Sequence, residues 1–599
     1  MSKKLIKVMD TSFRDGFQSV FGARVLTKDF LPALKSAVDA GIKHFEVAGG
    51  ARFQVPIFYC NENAFDMMDK VRETVGPDVN LQSLSRGVNV VGLVSQTRDV
   101  IDLHAKMFKK HGVTTVRNFD ALNDVNNLID SGNSIHNHGL KHEVTITMMD
   151  LPIGCKGAHD VDFYERVLRN ILDAGIPFDS LAFKDASGTS HPRKVYETVK
   201  RTREILGSEA HIRFHSHETA GTGLACYLAA LDGGADGIDL AMKPVSGGTS
   251  QPDMVSMWHA LRDTEYDLGI DVKKIIETEH LFKECMKDYY LSPEAMATNP
   301  LVVQSPLPGG ALTTNTVKMR EAGIMDKFPE VLAAMEEVVE KGGFGTSVTP
   351  VSQFYYQQAF SNVMQGKWNK IAEGYGKMVL GYFGKTPCEP DPEIVKLASE
   401  QLGLEPTTEK VVDINEKDSS KGVEAAKKML NEANLPITDE NIFIAASCTN
   451  QGIDFLLGKG HQQIETVSSK NAKASSSEKY ENGASITVNG KEYLVKQNGD
   501  NIIVNGKSYE VSMKAQDVND VQVSSGSGES EEIKAPLPGA ILKIVAKNGD
   551  SVKAGDLLIL MEAMKMETEI KAPRDGVVHS VRVDVGATVN PGQVLVVLD

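Results

Sequence analysis

SLAFKDASGTSHPRKVYETVKRTREILGSEAHIRFHSHE, residues 180–218, reads as a short apolar strand, a polar-faced crossover helix and a second short strand. The same alternation runs on both sides of it. Apolar runs begin with IKVMD at 6, HFEVAGG at 44, NLQSLSRG at 80, TTVRNFDAL at 114 and EVTITMMDL at 143, and after HIRFHSHE at 211 comes GIDLAMKPV at 237. Their starts recur at roughly 25 to 40 residues, the length of a strand plus its crossover helix. Eight such units in about 250 residues are the pattern of a closed (β/α)8 TIM barrel, and the chain is α/β in class. Periodicity alone leaves a doubly wound open sheet as the alternative.

The barrel is expected over 1–270. From 271 to 465 the pattern becomes α-helical: PEVLAAMEEVVEKGG at 329 places Leu332, Met335 and Val339 on one face, and KGVEAAKKMLNEANLP at 421 ends at a proline stop. Residues 466–532 read as a flexible linker with a small β module. KNAKASSSEKYENG and SSGSGESEE are Ser- and Gly-rich, and between them Asn489-Gly490, Asn498-Gly499 and Asn505-Gly506 separate alternating strands. The last part, 533–599, repeats itself. IKAP at 533 recurs at 570, and Gly539, Gly549 and Gly555 match Gly576, Gly586 and Gly592 at one constant offset, as in a compact β sandwich with internal pseudo-symmetry.

The 599-residue chain carries a net charge of −16, which disfavours nucleic acid because phosphate neutralisation needs clustered Lys and Arg. Its six cysteines are scattered without a CxxC pair, so neither a disulfide framework nor a cysteine metal site is indicated. The N-terminus lacks the apolar stretch of a signal peptide, and no apolar run reaches the ~20 residues that span a bilayer. A cytoplasmic protein is expected.

Catalytic groups of a barrel belong at the C-terminal strand ends. Asp15 is expected at the end of the first strand, Lys184 at the end of the sixth, and His215 and His217 in the seventh. Residues i and i+2 of a strand face one side, so the two imidazoles can converge on one ion or form a hydrogen-bonded pair near a loop. Lys184 completes a metal set only as a carbamate, an anionic oxygen ligand, because an ammonium repels the ion.

MEAMKMETEI, residues 561–570, lies where the two copies of the terminal repeat join. That junction is a hairpin tip, so Lys565 is expected to project from the domain. EAMKM resembles the attachment motif of biotinyl carrier domains, and the resemblance implies biotin in amide linkage to Lys565 and recognition by a biotin protein ligase. An ordinary exposed lysine is the plain alternative.

The motifs DTSFRDGFQS, LSRGVN, RNFDALND, AFKDASG, FHSHETAG, SGGTSQPD, LPGG and SVTPVSQ, spread through residues 5 to 460, resemble the biotin-dependent carboxyltransferase family. Its members include the pyruvate carboxylases, the oxaloacetate decarboxylase alpha subunit and the barrel subunit of a transcarboxylase. The resemblance implies a divalent metal, Zn or Mn, on Asp15, carbamylated Lys184, His215 and His217. It implies that Arg14, Gln18 and Arg86 hold a 2-oxo acid and that Asp120 supports the site. It further implies that Arg14, Lys184 and Thr349 form the catalytic group, with Thr349 moving a proton between biotin and substrate. A hydroxyl suits that relay because it accepts one proton while donating another.

Phe17, Ala48 and Leu93 stand where relatives carry His, Trp and Tyr, so the particular 2-oxo acid is open, with 2-oxoglutarate beside pyruvate. No glycine pair has the GxxxxGK[ST] context of an ATP-using biotin carboxylase. A separate ATP-dependent biotin carboxylase subunit is therefore the expected partner, as for the B subunit of a two-subunit pyruvate carboxylase. The alternative is the alpha subunit of a sodium-pumping oxaloacetate decarboxylase with a membrane partner. A scaffold with an inactive barrel is a third reading. Family resemblance implies a homo-oligomer.

Overall fold

The computed structural model describes residues 3–469, 484–488, 491–498, 501–504, 507–510, 531–536, 539–563, 566–589 and 592–599. These fall into two compact units, one comprising Met1–Lys287 with Leu291–Ile464, the other including Glu465–Ala563 and Glu567–Asp599.

Eight parallel strands close the barrel in sequence order: β1 (Lys7–Asp10), β2 (His44–Gly49), β3 (Asn80–Ser85), β4 (Thr115–Phe119), β5 (Lys141–Thr147), β6 (Ser180–Asp185), β7 (His211–Ser216) and β8 (Gly237–Leu240). β8 pairs with β1 through Met9↔Asp239, so the sheet has no edge and the open doubly wound alternative is excluded. The strands read as apolar runs because both faces are covered, one by the barrel interior and one by the helix ring. The crossover helices carry their own start signals. Asp160 caps Val161–Asp173 by accepting from the Phe163 N–H at 2.7 Å, and the helix buries Phe163, Tyr164, Val167, Leu168 and Ile171 against the strands.

The helical stretch continues this unit. Helix Val272–Cys285 packs on barrel helix Thr27–Asp39, where the Ser36 and Thr278 hydroxyls meet at 2.8 Å. Helix Phe328–Lys341 buries Leu332, Met335 and Val339, the face read from the sequence. No described helix is long and apolar enough to cross a membrane.

In the second unit, strands Ala484–Val488, Lys491–Asn498, Asn501–Val504 and Lys507–Glu510 form an antiparallel meander. Its ladders close on Val488↔Lys491, Asn498↔Asn501 and Val504↔Lys507. The Asn-Gly turns expected there, like the Ser/Gly-rich linkers, lie largely outside the described residues.

The C-terminal domain is two four-stranded sheets. One holds Glu531–Lys534, Ser551–Val552, Gly576–Val581 and Val594–Leu598; the other holds Gly539–Ile544, Leu557–Ala563, Met566–Lys571 and Thr588–Val589. Each strand of the first repeat has its counterpart in the opposite sheet, so the sequence repeat is a structural pseudo-symmetry. The matched Gly549/Gly586 and Gly555/Gly592 all have positive φ, which a side chain at these turns would strain. Lys565 and the expected hairpin tip lie outside the described residues.

Gly49 ends β2 with φ of 86°, and a Cβ there would stand 2.1 Å from the Leu84 carbonyl oxygen of β3. Gly49→Ala is expected to destabilise the barrel by about 2 kcal/mol or more, read as a lowered urea midpoint.

Candidate active site

The first strand stops earlier than the sequence suggests. β1 ends at Asp10, and Asp15 belongs to a tight turn, Ser12–Gly16, rather than to the strand end. The turn forms because the Asp10 carboxylate accepts from the Ser12 N–H at 2.9 Å while the Thr11 carbonyl accepts from the N–H groups of Arg14 and Gly16. Asp15 is thereby folded back over the barrel mouth. Lys184 and His215 arrive side by side because the β6–β7 register pairs Lys184 with His215, and His217 follows one residue beyond β7.

These groups converge. The Nε2 atoms of His215 and His217 are 3.2 Å apart, and Asp15 Oδ2 lies 3.1 and 3.6 Å from them. All three residues are buried, and their ligand atoms lie within 4.8 Å of one another. Ligands about 2.0–2.1 Å from a tetrahedral ion stand roughly 3.3 Å apart, so the spacing fits a divalent cation. Lys184 Nζ donates to Asp15 Oδ2 at 2.9 Å and to His215 Nε2 at 2.8 Å. An ammonium only donates, so Nε2 of His215 is the acceptor and its Nδ1 carries the proton. That Nδ1–H donates to Asp239 Oδ2 at 2.9 Å, and Nδ1–H of His217 donates to the Thr249 carbonyl at 2.7 Å. Both imidazoles therefore present lone pairs to one centre, the arrangement a metal requires.

Burial and neighbouring charge together set the titration of these groups. Burial raises the Asp15 carboxyl, but Arg14, Lys184 and His217 outweigh it and hold it well below the ordinary value. Burial pushes the Lys184 amine down, with Asp15 opposing, and burial and Lys184 together push His215 down.

Of the substrate-binding candidates, Arg14 forks onto Glu46, with Nη2 2.8 Å from each carboxylate oxygen, and Nη1 donates to Gln18 Oε1 at 3.2 Å. Nη2 also lies 2.9 Å from Asp15 Oδ2. Glu46 was not singled out in the sequence, where it stands inside the apolar run HFEVAGG. Arg86 is buried, which lowers its pKa to about 9, and Nη1 donates to the carbonyls of Val91 at 2.7 Å and Gly92 at 3.0 Å. It thus holds the loop that carries Leu93, whose own carbonyl accepts from Asn89. Asp120 accepts from the N–H groups of Leu122 and Asp124 and from Asn127, and burial with Asp124 nearby raises its carboxyl to about 7. It shapes the loop whose Ala121 carbonyl accepts from the Thr346 N–H at 2.8 Å. Thr346 also meets the Thr147 hydroxyl at 2.8 Å, so residues 344–350, including half-buried Thr349, are pinned to the ends of β4 and β5.

Phe17 faces away from this cluster. Its ring packs edge-on against Phe13, Phe30 and Phe282 at 5.5–5.8 Å, with the Arg52 guanidinium 5.3 Å over it. Arg52 is fully buried and donates to the carbonyls of Ala23 and Val25. The Phe17 departure therefore bears on packing behind the site. Ala48 is also buried, on β2.

A barrel with a metal-type cluster at its mouth, followed by a pseudo-symmetric biotinyl sandwich, defines a biotin-dependent carboxyltransferase. Residues 5–282 match the HMGL-like family, 302–497 the conserved carboxylase domain and 531–598 the biotin-requiring enzyme domain. The B subunit of pyruvate carboxylase from Methanocaldococcus jannaschii is 30% identical over 565 residues, 94% of each chain. The 2-oxoglutarate carboxylase large subunit of Hydrogenobacter thermophilus is 29% identical, covering 95% of this chain and 91% of its own. The carboxyl transferase domain of Rhizobium etli pyruvate carboxylase with pyruvate and biocytin superposes with a TM-score of 0.69 at 23% identity, covering 85% of this chain and 88% of that one, a likeness of fold. The chain belongs to the biotin-dependent carboxyltransferase family that includes the pyruvate carboxylase B subunits.

Glu143, on β5, lies beneath the cluster. Burial raises its carboxyl, but Arg117 and Arg213 outweigh it and bring it from 4.5 to about 2. A depressed carboxyl contributes stability above pH 4.5 that is lost as pH falls toward 2. Glu143→Gln is expected to lower stability at pH 7 and to flatten that acid-side loss, compared as urea midpoints at pH 3 and pH 7; an unchanged slope would contradict the assignment.

Proposed function

We propose that the chain transfers a carboxyl group between biotin on Lys565 and the methyl carbon of a 2-oxo acid, converting pyruvate to oxaloacetate as the B subunit of a two-subunit pyruvate carboxylase. The end-to-end match to a B subunit carries this reading. The B-subunit kinship supports a separate ATP-dependent biotin carboxylase subunit as partner, and a biotin protein ligase would load Lys565. Biotin supplies a labile carboxyl group, and a divalent ion, Zn or Mn, supplies a Lewis acid for the substrate oxygens.

Asp15, His215, His217 and a carbamylated Lys184 would hold that ion. Around the cluster lie the buried cations Arg14, Arg86, Arg117, Arg213 and Lys184 and the buried carboxylates Asp15, Glu46, Glu143 and Asp239. Turning the Lys184 ammonium into a carbamate lowers the local charge by two, which one divalent ion restores, so the two changes belong together in a low-dielectric interior. Arg14, positioned by Glu46, and Gln18 orient the 2-oxo acid. Arg86 stabilises negative charge developing on its carbonyl oxygen. Thr349, on the loop pinned by Thr346 and supported through Asp120, moves the proton between the methyl carbon and biotin. The 271–465 stretch in this reading completes the active site that the barrel begins.

A 2-oxoglutarate carboxylase is the second reading. It is favoured by Leu93, which puts an aliphatic side chain on the loop that Arg86 holds, and by the similar large-subunit relative.

The test is a coupled assay with biotinylated protein, a biotin carboxylase subunit, ATP and labelled bicarbonate, offering pyruvate and 2-oxoglutarate separately. Label in oxaloacetate, lost in Lys565→Ala, is expected. Fixation only with 2-oxoglutarate establishes the second reading, whereas sodium- and membrane-dependent decarboxylation of oxaloacetate without ATP-driven fixation overturns both. Thr349→Ala is expected to lower kcat by roughly 100-fold or more with metal content unchanged.

A further inference from the structure

Beneath the ligand cluster, four side chains from four strands close a ring of ion pairs. Arg117 of β4 donates through Nε to Glu143 Oε1 at 2.7 Å and through Nη1 to Asp239 Oδ2. Arg213 of β7 completes it, with Nη1 3.2 Å from Asp239 Oδ1 and Nε 3.3 Å from Glu143 Oε2. All four are buried in the barrel interior. Only one of the two carboxylates touches a member of the cluster: Asp239 Oδ2 accepts from His215 Nδ1.

The same imidazole nitrogen has a second neighbour of opposite character. Arg117 Nη1 lies 3.3 Å from His215 Nδ1, and a guanidinium only donates. Nδ1 therefore stands between an obligate acceptor and an obligate donor. Facing Asp239 it carries the proton, and Nε2 offers its lone pair to the ligand centre. Facing Arg117 it would accept, the proton would sit on Nε2, and His215 would point an N–H at the ion. Once Lys184 is no longer an ammonium it cannot enforce the first tautomer, and Asp239 is left to do so.

We propose that Asp239, held by the Arg117–Glu143–Arg213 ring, is a positioning residue that selects the metal-binding tautomer of His215 against the competing donor Arg117. The inference rests on the reading of Asp15, His215 and His217 as a divalent-metal site. Arg117 donates to Oδ2 of Asp239 and Arg213 to Oδ1, so both carboxylate oxygens are tied down and Oδ2 is held facing His215 Nδ1. In Asp239→Asn one carboxylate oxygen becomes an NH2 donor and the negative charge is lost, so the acceptor that Nδ1 faces is weakened or turned away while the donor Arg117 remains beside it.

The full-length protein, stripped with a chelator, is titrated with Zn2+ in the presence of bicarbonate against a chromophoric competitor. Wild type is expected to bind one ion per chain tightly, and His215→Ala to lose that binding. Asp239→Asn is expected to weaken it by about 10- to 100-fold, the usual effect of losing a ligand's orienting partner. Glu143→Gln, which breaks the ring at a member that does not touch His215, is expected to lower the melting temperature as Asp239→Asn does while leaving affinity within about threefold of wild type. Equal affinity in wild type and Asp239→Asn overturns the proposal, as does a loss in Glu143→Gln as large as that in Asp239→Asn. No tight ion in wild type would instead sink the metal-site reading itself. If Asp239→Asn does not fold, Asp239→Glu is measured: the displaced carboxylate is expected to weaken binding, and unchanged affinity overturns the proposal.

Discussion

The barrel depends on neutralising charge where water does not reach. Its interior places arginines from β4 and β7 and carboxylates from β2, β5 and β8 in a packed core, where a single unpaired ion costs several kcal/mol. Closure of the sheet brings Arg117 and Asp239 together, although 122 positions separate them in sequence. An open sheet would leave that pair apart. The ion ring and the closed topology therefore require each other, and the polar floor so created orients the groups at the mouth.

The site inherits its geometry from this floor by short covalent steps. His215 is two residues beyond Arg213 on β7 and faces the same side, directly above the ring. Lys184 is its register partner on β6. The Arg14–Glu46 pair ties the Asp15 turn to β2. Each ligand is thus anchored through a neighbour that is itself paired, which lets lone pairs and a carboxylate converge without water to soften their repulsion.

Much of this was legible in the sequence, and the reasons for the rest are physical. Strand spacing pointed to eight units, the period-3.6 faces to the helices, and the terminal repeat to a pseudo-symmetric sandwich, because all three depend on local pattern; that the strands of each copy are shared between the two sheets appears only in the structure. The Asp15 turn escaped the reading because DTSFRDG carries no proline or glycine before Asp15 to end the strand; its stop is set by Thr11 and Asp10 accepting from the following N–H groups. Asp239 and Glu143 were not singled out, since only the closed barrel shows whom they pair with. Phe17 stands at a departure from the family pattern, but the sequence does not show that the Arg52 guanidinium lies over its ring.

The helical stretch is joined to the barrel by polar contacts as specific as those of the floor. Thr346 is held by the Ala121 carbonyl and the Thr147 hydroxyl, and the Phe344 carbonyl accepts from His159 at 2.8 Å. Asp120 sits one residue before Ala121 and fixes that loop from within, through the N–H groups of Leu122 and Asp124. Thr349 is consequently positioned by the strands β4 and β5, the same two strands whose Arg117 and Glu143 form one side of the ion ring. The threonine loop is therefore referenced to β4 and β5, and the cluster to β6, β7 and the turn after β1, with the ion ring beneath them joining β4 and β5 to β7 and β8.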